Sequence, residues 1–399
     1  MKPQARIALL LLAGIALAGC NWFKGMGKKD NVEPPTPLAE FTPTIPVQAL
    51  WSARVGDGAG DSGARVAPVI ADGRVYAAGV DGTVAALDLA SGKTIWSQRL
   101  GGRTGGFLRR GDRSLRWTGG PAVEGDLLVV GGLDGQVHAL SAADGTPRWD
   151  AQVGSEVIAP PTIADGVVVV RTNDGRLMGL DAEDGNRRWL VEQPVPALSL
   201  RGNSAPVVAA GIAYCGFDNG RVSAVRIVDG AELWQTTLSP AEGRTEVERL
   251  ADVDGTVLVD GASVYAAGYH GTLASMAADN GRPLWQRDFS SYAGVAAGSG
   301  TLVAVDADGN VWAFDLATGA NLWKQEGLKH RWLSAPAVQG DHVVVGDAEG
   351  YVHWLSLSEG KFAARERLSR KPIEAAPQVA DGMVVVEDAE GRIGAWRAQ

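Results

Sequence analysis

The chain has 399 residues, of which 53 are glycine and 13 tryptophan, and a formal net charge of −9. The acidic balance excludes a general nucleic-acid role. Such a length exceeds what one ordinary core supports unless a repeat organises it. At the start of the chain, Lys2 and Arg6 precede an apolar run over residues 7–18. That run is too short to span a bilayer comfortably, so residues 1–19 read as a signal peptide and not as an anchor.

The run ends Leu17-Ala18-Gly19-Cys20, which resembles a bacterial lipobox: small residues before a cysteine whose thiol is lipidated and which becomes the mature N-terminus. Asn21 follows, where Asp is the usual inner-membrane retention mark of lipoproteins, so the resemblance implies the periplasmic face of the outer membrane. Residues 20–46 are polar and carry Pro34, Pro35, Pro37, Pro43 and Pro46, a composition that reads as a tether. Several acyl chains on Cys20 would make such anchoring stable, since one chain holds weakly.

Residues 47–399 repeat one phrase. A polar residue and glycine open each unit at Gly82, Gly135, Gly175, Gly220, Gly271, Gly309 and Gly350. Ten residues on stand Gly92, Gly145, Gly185, Gly230, Gly281, Gly319 and Gly360, and fourteen on stand Trp96, Trp149, Trp189, Trp234, Trp285 and Trp323. The seventh unit has Ala364 in the tryptophan place, and an eighth, opened by Gly391, runs out of chain at Gln399. In the first unit, residues 67–70, 74–79, 83–88 and 93–100 are β-rich runs separated by glycine turns, which predicts four antiparallel strands per unit. The third strand is apolar on both faces, with a small residue four after the glycine (Ala86, Ala139, Gly179, Ala224, Ser275, Ala313). We expect that residue where a neighbouring sheet comes close, and the tryptophans as packing between blades.

The phrase predicts an all-β fold, a β-propeller of four-stranded antiparallel blades. Leu50 to Gly56 repeats the tail of a unit, as residues 95–101 show it. The N-terminal strand is therefore expected to complete the last blade and close the ring, leaving no open sheet edge. Seven internal units and one shared unit make eight blades. A seven-bladed ring stays open, though eight hairpin glycines argue against it.

The chemistry is sparse. His138, His270, His330, His342 and His353 are scattered, and no His, Cys and carboxylate cluster has metal-ligand spacing. No glycine-rich loop opens a helix to cradle phosphate. With Cys20 lipidated, Cys215 is alone in an apolar strand and reads as an inert buried thiol. Catalytic, metal and cofactor residues are accordingly expected to be none.

The phrase from Ala86 to Trp96 resembles the quinoprotein-dehydrogenase type of propeller repeat. Dehydrogenases of that class use a longer chain, a vicinal cysteine pair over pyrroloquinoline quinone, and calcium ligands. Adjacent cysteines are missing here, so a quinoprotein-like enzyme is the weaker alternative, beside a ligand- or envelope-binding propeller. Outside the phrase, residues 37–41 (Pro-Leu-Ala-Glu-Phe), 199–206 (Ser-Leu-Arg-Gly-Asn-Ser-Ala-Pro), 218–225 and 245–254 resemble the BamB family of outer-membrane protein assembly lipoproteins. The resemblance implies a non-enzymatic scaffold of the β-barrel assembly machinery that docks on the periplasmic POTRA domains of the insertase BamA. Direct contact with nascent outer-membrane proteins is left open.

Residues 193–203 and 239–254 interrupt the repeat on either side of the fourth unit, and connectors on a rigid scaffold are where binding residues gather. By resemblance, the partner contacts fall on Leu198, Leu200 and Arg201 in the first and on Asp252 and Asp254 in the second. Exposed leucines would form an apolar centre and the charged groups a polar rim. The competing reading has Asp252 and Asp254 capping turns and pairing with Arg201 inside the protein. A third insert, residues 101–117, carries Arg103, Arg109, Arg110, Arg113 and Arg116 and reads as a solvated loop, with a basic patch as the alternative.

Overall fold

The computed structural model describes residues 33–101, 116–199, 202, 204–240, 244, 245 and 250–398. Signal peptide, Cys20, Leu200, Arg201 and most of the Arg-rich insert lie outside these. The chain divides into two units, Met1–Pro35 and Thr36–Gln399. In the first, Glu33–Pro35 are described, outside any helix or strand.

The second unit is an eight-bladed β-propeller, each blade a four-stranded antiparallel sheet. In blade 1 the strands are β2 (Val69–Ala71), β3 (Arg74–Ala78), β4 (Thr83–Asp88) and β5 (Thr94–Arg99), close to the runs read from sequence. Blade 8 takes three strands from the C-terminus and its fourth, β1 (Val47–Arg54), from the N-terminus. β1 pairs antiparallel with Arg392–Ala398, from Val47 opposite Ala398 to Arg54 opposite Arg392. Closure therefore follows the repeat grammar: Trp51 lies opposite Ala395, as Trp96 lies opposite Ala86 in blade 1.

That cross-strand pairing corrects the reason given for the small residue. Ala139 lies opposite Trp149, and Gly179 opposite Trp189, within one blade. A Cβ on Gly179 would stand 2.2 Å from the Trp189 ring. The residue is small because its own blade's indole lies over it.

Each indole then reaches forward to the next blade. Trp51 Nε1 donates to the Leu89 carbonyl at 2.8 Å, Trp96 to Ala142 at 3.0 Å, Trp149 to Ala182 at 2.9 Å and Trp323 to Leu357 at 2.8 Å. The ring also covers the second glycine of that next unit. A Cβ on Gly185 would lie 2.6 Å from Trp149, and one on Gly92 2.4 Å from Trp51. Gly at +10 and Trp at +14 are thus two halves of a lock between neighbouring blades. In unit 7 the +14 place holds Ala364 and not tryptophan. There the pair is inverted: Trp354 takes the inner position opposite Ala364, donates to Gln339 Oε1 at 2.9 Å and meets Trp396 edge-on.

The incoming chain secures this junction instead. The tether was expected to run to Pro46, yet from Thr36 it lies on the ring. The Thr36 N–H donates to the Lys329 carbonyl at 3.0 Å and that of Thr44 to Ala363 at 2.9 Å. Phe41 stacks on Phe362 at 5.3 Å with the Arg365 guanidinium 5.0 Å above it, and Ile45 packs against the cluster holding Trp354, Ala364 and Trp396.

Candidate partner-binding face

In an antiparallel blade the turn between second and third strands and the connector leaving the fourth strand emerge at the same end. All opening glycines and all inter-blade connectors therefore share one face of the ring. The two connectors singled out from sequence lie on it and meet. Leu198, 40% exposed, stands on the first. Gly202 on the same connector packs onto the second so closely that a Cβ there would be 2.4 Å from Asp254 Oδ2.

Asp252 and Asp254 are not on the surface. Asp252 is 0% and Asp254 6% exposed. Asp252 sits in a β-bridge with Tyr269, whose N–H donates to the Asp252 carbonyl at 2.7 Å. From there the acids act from beneath the connector and not as an exposed rim, which agrees with the internal-pairing reading in their burial. Leu200 and Arg201 fall outside the described residues, so Leu198 is the one predicted apolar contact that the structure places in solvent.

Two further charges complete the cluster. Arg171, fully buried, forms an ion pair with Asp218 of the next blade and lies 5.0 Å over the Phe217 ring. The carboxylates of Asp218, Asp252 and Asp254 come within 4.8 Å of one another. Burial, and then Asp254 and Asp218 beside it, drive the Asp252 carboxyl well above the usual range. Burial also raises Asp254, against the pull of Arg171. Although burial opposes its charge, Arg171 is held above its ordinary value by Asp218 and the other acids. The guanidinium is the cluster's counter-charge, fixed where three acids would otherwise repel.

Arg171 and Asp218 were missed, and the register contained the signal. Four residues before the opening glycine the blades carry Ala78, Gly131, Gly216, Ala267, Val305 and Gly346, but Arg171 in blade 3 and Glu387 in blade 8. A charge at a position that is uncharged elsewhere marks a buried pair or an uncompensated group. Cys215, nearby and fully buried, has its thiol pushed up by burial to about 12, as an inert thiol requires.

The model of the family described as outer membrane protein assembly factor BamB matches residues 48–109, 81–325 and 317–398. The outer membrane protein assembly factor BamB of Xanthomonas campestris pv. campestris is 45% identical over 372 residues, covering 92% of this chain and 90% of the relative. That of Salmonella typhimurium is 43% identical over 370 residues, covering 92% of each. Among solved structures, BamB from Moraxella catarrhalis superposes with a TM-score of 0.77 at 28% identity, covering 88% of this chain and 99% of that one.

Proposed function

Since the chain belongs to the BamB family of outer-membrane protein assembly factors, we propose that it docks on the periplasmic POTRA domains of the insertase BamA through the face built from its connectors. The relatives it matches are named outer membrane protein assembly factors, and in this reading the chain is a non-catalytic factor of the assembly machinery. In this reading Cys20 carries the lipid that holds the mature chain to the periplasmic face of the outer membrane, and the chain joins the ring at Thr36.

The observation that carries the docking reading is an exposed leucine on a connector clamped from below. Leu198 offers an apolar contact, and in the same connector Gly202 packs on buried Asp254. Asp254 is a positioning residue here, because Gly202 of the connector packs onto it, and Asp252 stands beside Asp254 in the buried cluster. Preorganised apolar anchors of this kind dominate interface energetics, since little ordering entropy is left to lose on binding.

Co-purification from solubilised outer membranes tests the reading. A Leu198→Asp chain should fold as the parent does, by near-UV circular dichroism, and lose BamA. A folded Leu198→Asp chain that retains BamA at parental yield removes Leu198 from the interface.

A further inference from the structure

The connector face also carries a cavity of about 440 Å³, lined among others by Arg65, Asp254, Tyr269, Tyr292, Trp332 and Glu374. Arg65 lies on the connector into blade 1 and Asp254 on the connector into blade 5, opposite blades of an eight-membered ring. A space they share lies on the axis, at the mouth of the central channel.

Trp332 is the unusual wall. It is 60% exposed at φ +54°, and His330 two residues earlier is at φ +59°. Residues with a Cβ adopt this left-handed region only when their surroundings impose it. The residue between them imposes it. Arg331, 3% exposed, donates from Nε to Asp347 Oδ2 at 2.8 Å and from Nη1 to the Thr36 carbonyl at 3.0 Å, and is paired with Glu349. With Arg331 drawn inward, the chain on either side turns back and holds the indole out over the cavity. Across from it, Arg65 donates to the Tyr292 carbonyl at 2.6 Å and lies 5.4 Å over the Tyr292 ring.

We propose that this mouth is a second anchor pocket of the docking face, receiving a projecting apolar or aromatic side chain of the same protein partner that meets Leu198. Three observations select that occupant. Tryptophan, tyrosine and arginine around a preformed hollow are the composition of interface hot spots. Asp254 both lines the cavity and packs against Gly202 of the Leu198 connector, so pocket and connector adjoin. The ionisable side chains lining it, Arg65, Asp254 and Glu374, are of both signs, which suits an uncharged group. This inference rests on the docking reading above.

The test uses the full chain and the purified periplasmic domain of BamA as probe. Trp332→Gly removes the ring and keeps the left-handed backbone without strain, whereas Trp332→Phe keeps an aromatic surface. We expect Trp332→Gly to weaken binding at least tenfold and Trp332→Phe to stay within about threefold. Parental affinity for Trp332→Gly while Leu198→Asp abolishes binding overturns the pocket and leaves docking intact; parental affinity for both overturns docking itself. In a 5-fluorotryptophan-labelled chain, the Trp332 fluorine resonance, identified by its loss in Trp332→Phe, should shift when the probe is added. An unmoved resonance at saturation overturns the pocket, as does a shift with chain concentration alone, which would assign the mouth to a second copy.

Discussion

Substituting alanine at two glycines of the same φ separates the tryptophan lock from backbone strain. Gly185 and Gly300 both have φ +74°, but a Cβ on Gly185 would meet Trp149 at 2.6, 2.9 and 3.1 Å, while one on Gly300 would meet nothing within 4 Å. Gly300→Ala should therefore cost only the left-handed strain, about 1–2 kcal/mol. Gly185→Ala adds an overpacking term of about 1–3 kcal/mol, because the indole is pinned by its own bond to Ala182 at 2.9 Å. Its total comes to about 2–5 kcal/mol. Urea unfolding with a shared m-value reads both. In a Trp149→Ala background the overpacking term vanishes, so the double variant should lose less than the sum of the singles. Equal costs for the two glycines, or strict additivity in that cycle, would refute the lock.

Glu387 is fully buried, and neither carboxyl oxygen has a hydrogen-bond partner among the described residues. Burial, with Asp388 beside it, pushes its carboxyl well above the ordinary range. The folded chain thus keeps a proton that the unfolded chain loses above about pH 4.3. Stability should fall with rising pH from there by up to about 1.4 kcal/mol per unit until the folded group ionises; Glu387→Gln should flatten that slope in urea midpoints between pH 5 and 8, and an unchanged slope counts against this assignment. At the blade 7 junction, Phe41→Ala should cost about 2 kcal/mol, and Thr44→Pro, which removes the donor to Ala363, about 1 kcal/mol or more. Both should expose residues 36–46 to early proteolysis, and parental resistance would show that the strap does not secure the ring.

The repeat made the fold legible because every inter-blade contact recurs at fixed spacing. Glycine at +10 and tryptophan at +14 mark the lock, and the stray Trp51 marks closure. Even the irregular unit carried information: Ala364 stands where the pair is inverted, opposite Trp354. What the register could not supply was the partner of each residue. The small residue at +4 was assigned to a neighbouring sheet, whereas its constraint comes from the indole of its own blade, because strand pairing places Gly179 opposite Trp189.

At the candidate site, the sequence by itself determined which connectors depart from the repeat and that they share a face. It placed Leu198 on one of these connectors, where the side chain is exposed. Only the tertiary structure decided that Asp252 and Asp254 lie inside, since their burial depends on Arg171 and Asp218, residues of other segments that the ring brings together. The same holds for the channel mouth, whose walls come from connectors into opposite blades. Spacing along a chain encodes local turns and periodic packing; which charges share one interior, and which side chains face one axis, is fixed when the ring closes.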